Sequence, residues 1–537
     1  MNYVKAVGVL WAVYLACASG LSAQSEVELQ SKNEYSLVTY NVENLFDADG
    51  LAEYSDYSPT NRDGNPQYTP AHVLTKIKHI VQLMQAYEQG TGPDILTLVE
   101  LESDFSPNDH GFVDPADFLG QYAYTTIERM LGEEFSPEVA KLPSEWLLLK
   151  GFEDAGVGPY EVEVGEPPLG EDGKPVSVQK NVVFSKYPIW SEKTQIHPTE
   201  RARPILEVWI DVEGSALAVF VNHWKSGAGS ASMEEIRVQN AQVLATRIKQ
   251  LASDRVPYDM ILVGDFNSDY TQKIRYSFST TSLQDILKVK GDEALMIETA
   301  KQGSLDWYNL WYEWPIDKRG SDIYRGYWGT LMQIIVSNSL YDYQGLSYVD
   351  QSFRVDDFGF NTYSGSGTPK RWSFYGQGTG YSDHLPLSIR LKKADTFFSG
   401  PFSTNDDANW EPLEVRYDRP ADPYDLSPFR SGEAWNLVKY YDAYFELEAA
   451  LTQDGDVIVE GTKIDMYAPS FNIREMAKDW FNAYSAKVQT LEYSTQQNTT
   501  ESIEVLAIRF IGRWSQYRAN WQFVLESESF IDLLQEN

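Results

Sequence analysis

Met260-Ile261-Leu262-Val263-Gly264-Asp265-Phe266-Asn267-Ser268 is a short apolar run that ends in an aspartate and an asparagine. An apolar core would not select such residues at the end of a buried strand, although both types also favour turns. Because a sheet brings the ends of its strands to a common edge, polar strand ends from distant segments can converge there on one site. The same pattern recurs in four other segments, at Asn41 and Glu43, at Glu100, at Asn222-His223 and at Asp383-His384.

Short strand-like segments alternate with helical ones along most of the chain. Apolar residues at helical spacing predict amphipathic helices over Val73–Met84 and Ile236–Leu251. The sequence therefore predicts a layered α/β domain that ends near residue 393. The expected strands cover residues 35–42, 94–100, 181–185, 206–212, 216–222, 260–264, 331–337 and 385–391.

The composition excludes a disordered or fibrous chain. The 537 residues are 42% hydrophobic, which is enough for more than one buried core. With 44 Lys and Arg against 78 Asp and Glu, the formal net charge is −34, and this charge slows the approach of a polyanion. A phosphate substrate must therefore meet local positive charge, for which a metal ion is the expected source.

The N-terminus has the pattern of a secretory signal peptide, predicted to cover residues 1–23. Lys5 precedes an apolar run from Ala6 to Ala18, which is too short for a permanent membrane span. We expect export, no transmembrane segment and a mature chain without cysteine. In the alternative reading Cys17 is the lipidated residue of a lipoprotein, for which Tyr14 is a poor neighbour.

The C-terminal part predicts a second, smaller unit. Residues 394–430 lose periodicity and collect prolines, which indicates a linker. Residues 431–537 predict a small α+β domain, with a helix around 433–451, a second around 473–483, and antiparallel strands at 505–510 and 517–525. By element order alone, this unit is similar to cone-shaped nuclear-transport-factor-like folds.

The polar strand ends suit the hydrolysis of a phosphodiester, which needs oxygen ligands for Mg²⁺ or Mn²⁺, a base and a neutralising cation. Glu100 and Asp383 are candidate metal ligands. His223 and His384 are two of six histidines and are suited to proton transfer. Asp265 can act as the base or orient His384.

Five motifs in this order resemble those of the endonuclease/exonuclease/phosphatase superfamily, and particularly its secreted bacterial nuclease-like branch. The resemblance covers about residues 33–393. It implies a four-layer α/β sandwich of two packed sheets flanked by helices, with Mg²⁺ or Mn²⁺ as the cofactor. The motifs are Tyr40-Asn41-Val42-Glu43-Asn44-Leu45-Phe46-Asp47, Leu98-Val99-Glu100-Leu101-Glu102, Asn222-His223-Trp224-Lys225-Ser226, Gly264-Asp265-Phe266-Asn267-Ser268 and Ser382-Asp383-His384-Leu385-Pro386.

Carried over by position, the resemblance implies a role for each polar strand end. Asn41 and Glu100 correspond to a pair at the metal, and Asp383 to a further carboxylate beside it. Asp265 and His384 correspond to a hydrogen-bonded catalytic pair. His223 corresponds to the second catalytic histidine, and Asn267 to a residue that positions phosphate or water.

Other positions depart from the pattern or stay open. The segment Leu331–Ser337 resembles a strand of the family that usually carries an aspartate where this chain has Met332. Asn181, Lys225 and Arg237 are candidate substrate contacts, the alternatives being a buried, hydrogen-bonded amide for Asn181 and solvated surface cations for the other two. Glu43 is interpreted as a solvated acid at a strand end.

Three functions are compatible with these residues. The first is an exported metal-dependent phosphodiesterase that degrades extracellular DNA or RNA, with nucleic acid as substrate and no obligate protein partner. A second has the same chemistry but acts on phospholipid head groups or small phosphoesters, as the net charge favours. A third is a binding module that carries a degenerate hydrolase domain, for which Met332 is the only support.

Overall fold

The computed structural model describes residues 34–51, 68–106, 115–252, 258–393 and 444–534, with short gaps inside the last two ranges. The predicted signal peptide and linker lie outside these residues. Among the residues described, no helix combines the length and the apolar character that crossing a membrane requires.

The first part of the chain is built from short strands joined by helices. Its helices span Pro70–Met84, Pro115–Gln121, Ile127–Met130, Pro137–Ala140, Ser144–Asp154, Ala231–Ala252 and Gln272–Tyr276, with a π-helical turn at Ser282–Leu287. Its strands are β1 Glu34–Leu45, β2 Ile95–Glu102, β3 Glu161–Gly165, β4 Gln179–Ser185, β5 Gln195–His197, β6 Ile205–Val212, β7 Ser215–His223, β8 Asp259–Asp265, β9 Trp307–Asn309, β10 Asp322–Tyr324, β11 Tyr327–Gly329, β12 Met332–Ser337, β13 Leu346–Tyr348, β14 Arg354–Val355 and β15 Leu387–Lys393.

These strands form two larger sheets and a separate β10–β11 hairpin. The first sheet has the order β13-β15-β1-β2-β4-β3, with β14 beside β15, and the second has the order β5-β6-β7-β8-β12-β9. The central pairs β1–β2 and β7–β8 are parallel, so each pair brings two carboxyl-terminal strand ends to the same edge. The strands predicted from the sequence are all present.

The two sheets pack face to face with helices on both outer faces. The core between them joins residues such as Leu37 and Val99 of the first sheet to Val219 and Val263 of the second. Pro70–Met84 and Ser144–Asp154 cover the first sheet, and Ala231–Ala252 covers the second. The four-layer α/β sandwich predicted from the sequence is confirmed.

Gly264 allows β7 and β8 to approach each other beside their polar ends. Its φ is +113°, and a Cβ at this position would lie 2.1 Å from the carbonyl oxygen of Asn222. Only glycine fits both the backbone conformation and the contact.

We expect Gly264→Ala to lower the free energy of unfolding by about 3 kcal/mol, because the methyl group forces the paired strands apart. Urea denaturation measures this loss. Gly214→Ala is the matched control, since Gly214 also has a positive φ, of +89°, but has open space around its Cβ position. An equal loss in both variants would contradict the contact argument.

The C-terminal residues form a separate sheet with its own core. Its strands are β16 Tyr444–Thr452, β17 Val457–Val459, β18 Thr462–Ile464, β19 Met466–Tyr467, β20 Gln489–Ser494, β21 Thr500–Tyr517, β22 Asn520–Val524 and β23 Ile531–Leu533. The predicted helix at 473–483 is confirmed as Ile473–Ala483, and β21 and β22 are antiparallel as predicted.

The helix predicted around residues 433–451 is wrong where the structure describes it. Residues 444–452 are β16, which pairs with β21 in register over its whole length, from Tyr444 opposite Arg513 to Thr452 opposite Val505. Glu446, Leu447 and Glu448 favour helix locally, but this long pairing and the burial of Leu447 outweigh that preference. Residues 433–443 lie outside the described residues.

Candidate active site

Polar residues from both sheets meet at one edge of the sandwich. Asn41 and Glu100 lie near the ends of β1 and β2, His223 and Asp265 are the last residues of β7 and β8, and His384 precedes β15. The sequence predicted this convergence from five separate segments.

A β-bulge directs Glu100 into the site. The register between β2 and its neighbour β4 shifts between Val99 and Leu101, and the φ of Glu100 is +70°. Left-handed backbone is uncommon for a residue other than glycine, and bulges of this kind redirect side chains at functional sites. The strained backbone at Glu100 therefore marks the carboxylate as placed for a role.

Asn41 connects the carboxylates of the two sheets. Its Nδ2 donates to Glu100 Oε1 at 3.0 Å and to Asp265 Oδ2 at 3.2 Å, while its Oδ1 accepts from the Glu43 backbone at 2.9 Å. The Ser382 hydroxyl donates to the Asn41 carbonyl at 2.7 Å. Asn41 thus positions both acids and holds the segment that carries His384.

Glu100, Asp265 and His223 form a group that can hold a metal ion. Their ligand atoms lie within 4.8 Å of one another, with His223 Nε2 at 3.6 Å from Glu100 Oε1 and 3.8 Å from Asp265 Oδ2. Burial and the cations Arg203, His384 and Lys225 hold the pKa of His223 well below its usual value. The two carboxylates supply the oxygen ligands that suit Mg²⁺ or Mn²⁺, and the neutral imidazole is free of the positive charge that would oppose a divalent ion.

His384 lies near the same oxygen of Asp265 as His223 does. Its Nε2 lies 3.7 Å from Asp265 Oδ2 and 3.8 Å from Asp383 Oδ1. Burial lowers its pKa, but Asp383, Asp265 and other nearby carboxylates outweigh burial and raise the pKa to about 9. The two site histidines therefore differ at neutral pH, where His384 is a cation and His223 is neutral.

Glu100 titrates near neutrality. Burial and the nearby Asp383 raise its pKa to about 7, although Arg203 opposes the shift. Because a metal ion needs the carboxylate form, a proton competes with the ion below that pH.

We expect Mn²⁺ affinity, measured by calorimetry, to weaken by about tenfold for each pH unit below 7, where binding must displace the Glu100 proton. Above pH 7 the affinity should change little, because Glu100 is already ionised. In Glu100→Gln the affinity should be low and the step near pH 7 should disappear. A step of the same size in that variant would assign the proton to another group.

Asn267 lies beside the carboxylates and is held by the backbone. Its φ is +49°, its backbone N–H donates to Asp265 Oδ1 at 2.8 Å, and its Nδ2 donates to the Trp224 carbonyl at 3.2 Å. Its assignment as a residue that positions phosphate or water stays a prediction.

The three candidate substrate contacts lie in different surroundings. Asn181 is fully buried and donates to the carbonyls of Pro204 and Val221, which links the two sheets. Arg237 is also fully buried, and its guanidinium is bonded to Glu234 and to the carbonyls of Lys225 and Ala228. Only Lys225 lines an open cavity. The geometry favours the buried-amide alternative for Asn181. For Arg237 it disfavours substrate contact, and the alternative of a solvated surface cation is wrong because the side chain is buried.

Asp322 is a site residue that sequence reasoning missed. Met332 is buried between the sheets and pairs with Asp265 across the strands, so β12 offers no carboxylate there. The β10–β11 hairpin instead bridges its Asp322 to His384, and the charge of Asp322 contributes to the raised pKa of that histidine. No sequence signal marked Asp322, because it belongs to a hairpin outside every motif.

We expect Asp322→Asn to lower the pKa of His384, because one of the carboxylates that stabilise the cation is removed. The alkaline limb of the pH–rate profile should then move to lower pH. Asp342→Asn is the matched control, because Asp342 has a pKa raised to about 6, like Asp322, but no interaction with His384. If the limb does not move in Asp322→Asn, Asp322 does not act on His384.

Glu43 is not the solvated acid predicted from the sequence. It is buried, with a φ of +49°, and its carboxylate accepts from the Trp372 backbone at 2.7 Å and from the Arg371 guanidinium. Arg371 Nη2 also lies 3.6 Å from Asp383 Oδ2. Glu43 therefore holds the Arg371 guanidinium beside Asp383. This arrangement depends on a contact between residues more than 300 positions apart.

A protein-family model matches part of the chain. Residues 180–393 match the model of the Endonuclease/Exonuclease/phosphatase family. This segment contains His223, Asp265 and His384, while Asn41 and Glu100 precede it. No curated protein sequence matches the chain significantly.

Three solved structures illustrate what the chain is similar to. An endonuclease/exonuclease/phosphatase family protein from Bacteroides thetaiotaomicron is 14% identical, over 67% of this chain and 94% of that chain, with a TM-score of 0.35. D. rerio TDP2 complexed with a single-strand DNA product is 11% identical, over 67% and 100% of the two chains, with a TM-score of 0.33. ANGEL2, a 2′,3′-cyclic phosphatase in complex with adenosine-2′,3′-vanadate, is 14% identical, over 68% and 98%, with a TM-score of 0.34.

Proposed function

We propose that the chain is an exported nuclease that cleaves DNA or RNA backbones, on the premise that its residues 180–393 match the model of the Endonuclease/Exonuclease/phosphatase family. It is a metal-dependent phosphoric ester hydrolase; nucleic acid as the substrate and export are the proposed part. The observation that carries the proposal is that Glu100, Asp265, the neutral His223 and the cationic His384 meet at one edge of the sandwich.

Two carboxylates and a histidine form the metal site in this proposal. Glu100, Asp265 and His223 would hold Mg²⁺ or Mn²⁺, with Asn41 orienting the two carboxylates. When bound, such an ion neutralises charge on the phosphoryl oxygens and polarises the phosphorus centre.

His384 and Asp265 have different parts in the proton chemistry of this proposal. His384 is a cation at neutral pH and can donate a hydrogen bond to a phosphoryl oxygen as negative charge develops there. Asp265 lies 3.7 Å from His384 and can take the proton of an attacking water. Asn267, whose backbone N–H donates to Asp265, would position phosphate or water in this proposal.

The export part rests on the N-terminal sequence. Lys5, the apolar run from Ala6 to Ala18 and the small residues up to Ala23 are the features of a cleaved signal peptide. Expression with a C-terminal tag, fractionation and N-terminal sequencing test it. A mature chain that begins at Gln24 outside the cytoplasm is the expected result, and an uncleaved N-terminus would contradict it.

The activity is tested with supercoiled plasmid, RNA and bis(p-nitrophenyl) phosphate, each with Mg²⁺, Mn²⁺ or EDTA. We expect metal-dependent loss of plasmid or RNA, and none from an Asp265→Ala variant purified in parallel, which controls for contaminating nucleases. Turnover of the small diester alone would favour the second candidate, a phosphodiesterase of lipids or metabolites, which the net charge of −34 supports. No turnover of any substrate would overturn the nuclease proposal.

A further inference from the structure

A cavity of about 460 Å³ opens beside the candidate active site, and its charged lining residues are mostly cations. Lys174, Arg201, Arg203 and Lys225 line it, with Asp172 as the single acidic residue among the lining residues. In a chain with 44 basic and 78 acidic residues, this local excess of positive charge is the reverse of the overall balance. Such a reversal next to a phosphohydrolase site points to an anionic ligand.

The cavity is connected to the catalytic group through Arg203. Arg203 donates to Gln179 Oε1 at 2.7 Å and to the Trp224 carbonyl at 3.4 Å, directly after His223 in the chain. Its positive charge also acts on both Glu100 and His223. Arg203 therefore belongs to the lining of the cavity and also acts electrostatically on two residues of the metal-capable group.

Two backbone segments build the walls. The first is the turn between Leu169 and Pro175, two residues that are paired by a β-bridge. This turn contains Lys174, which lines the cavity. The second runs from Thr199 to Arg203 and is closed by a hydrogen bond of 2.9 Å from the Thr199 hydroxyl to the Arg203 carbonyl. These contacts fix the backbone of the two segments that carry the cations.

The cavity also offers an apolar surface. Val176 is 62% exposed, and Phe105 is half-buried beside it in the lining. Exposed apolar side chains next to cations are the combination that binds a nucleotide, since the cations contact phosphate and the apolar groups contact a base or sugar.

We propose that this cavity binds a phosphate, with its attached nucleotide, that neighbours the scissile phosphate of a polynucleotide. The inference rests on the proposed function and narrows its substrate to a polynucleotide. A small phosphoester would contact the catalytic residues and leave the cavity empty. The ligand class is a polyanionic strand, and Arg and Lys supply the charge-assisted hydrogen bonds to its phosphate oxygens.

The test variant is Lys174→Ala/Arg201→Ala, which removes the two exposed cations farthest along the chain from the catalytic residues. The matched control is Lys249→Ala/Lys392→Ala, which removes the same charge from exposed positions. Lys392 pairs with Glu34 at the opposite end of β1 from Asn41, and Lys249 lies in the last turn of Ala231–Ala252. Thermal melting checks that all variants are folded.

Two measurements are made on each protein. The first is the ratio of kcat/KM for a single-stranded oligonucleotide, about ten nucleotides long to fit a usual footprint, to kcat/KM for bis(p-nitrophenyl) phosphate, which has one phosphate. The second is the anisotropy of the labelled oligonucleotide in EDTA, at several salt concentrations, which reports binding without turnover.

We expect the test variant to lower the kcat/KM ratio by about tenfold. The slope of the logarithm of the binding constant against the logarithm of the salt concentration should become less steep by about 0.7 for each phosphate group that the variant no longer binds. The control variant should match the unmodified chain in both. If test and control variants behave alike, the cavity proposal is wrong even though hydrolysis continues. If the unmodified chain hydrolyses neither substrate while the test variant still binds more weakly, the nuclease function fails and the anion site stands.

Discussion

Asp265→Asn is expected to lower kcat by about 10³-fold while the fold is preserved. Asp265 lies at the centre of the site, since its Oδ2 is within 3.8 Å of both site histidines and accepts from Asn41. Asparagine has nearly the same shape and keeps an oxygen for the Asn267 N–H, so the loss isolates the carboxylate charge. That charge serves both the metal site and the cation of His384, which is why a large effect is expected.

The measurement is kcat for bis(p-nitrophenyl) phosphate at saturating Mn²⁺, with thermal melting in parallel. Asp259→Asn is the matched control, because Asp259 is the buried first residue of the same strand β8 and accepts from the Leu346 N–H at 2.8 Å, far from the site. The control should lose stability and retain activity. A kcat in Asp265→Asn within a few fold of the unmodified value would remove Asp265 from the mechanism.

His384→Gln is expected to lower kcat by about 10²-fold or more and to change the pH dependence. The pKa of His384 is about 9, because the surrounding carboxylates outweigh burial. The raised value means that the cation is present below pH 9 and is lost as the pH rises through it. An activity that depends on this cation therefore declines above pH 9, and the glutamine variant should lack that decline.

The pH–rate profiles of the unmodified chain and of His384→Gln measure this alkaline decline. His197→Gln is the matched control, because His197 is paired with Glu207 at 2.7 Å on the edge strand β5 and does not contact the site carboxylates. It should keep the full rate and the alkaline decline. If His384→Gln keeps the same decline, another group is responsible, and the proposed role of the His384 cation is wrong.

The sequence was sufficient to predict the architecture of the first domain and the convergence of its site. Apolar runs such as Ile261–Val263 identify buried strands, and the polar residues directly after or before them mark the strand ends. Strand pairing in a sheet brings those ends to one edge, so Glu100, His223, Asp265 and His384 could be grouped before any contact was known. The C-terminal helix prediction failed at Tyr444–Thr452, because pairing with β21 outweighed local preference.

The surroundings of the site residues could not be predicted in the same way. That Asn41 donates to two carboxylates, that Arg237 is buried, and that Asp322 acts on His384 all depend on contacts between segments far apart in the chain. Local patterning specifies which face of a strand is apolar and where the strand ends. Hydrogen bonding, burial and charge interactions arise only when distant segments pack, so the charge states of His223 and His384 are properties of the tertiary structure.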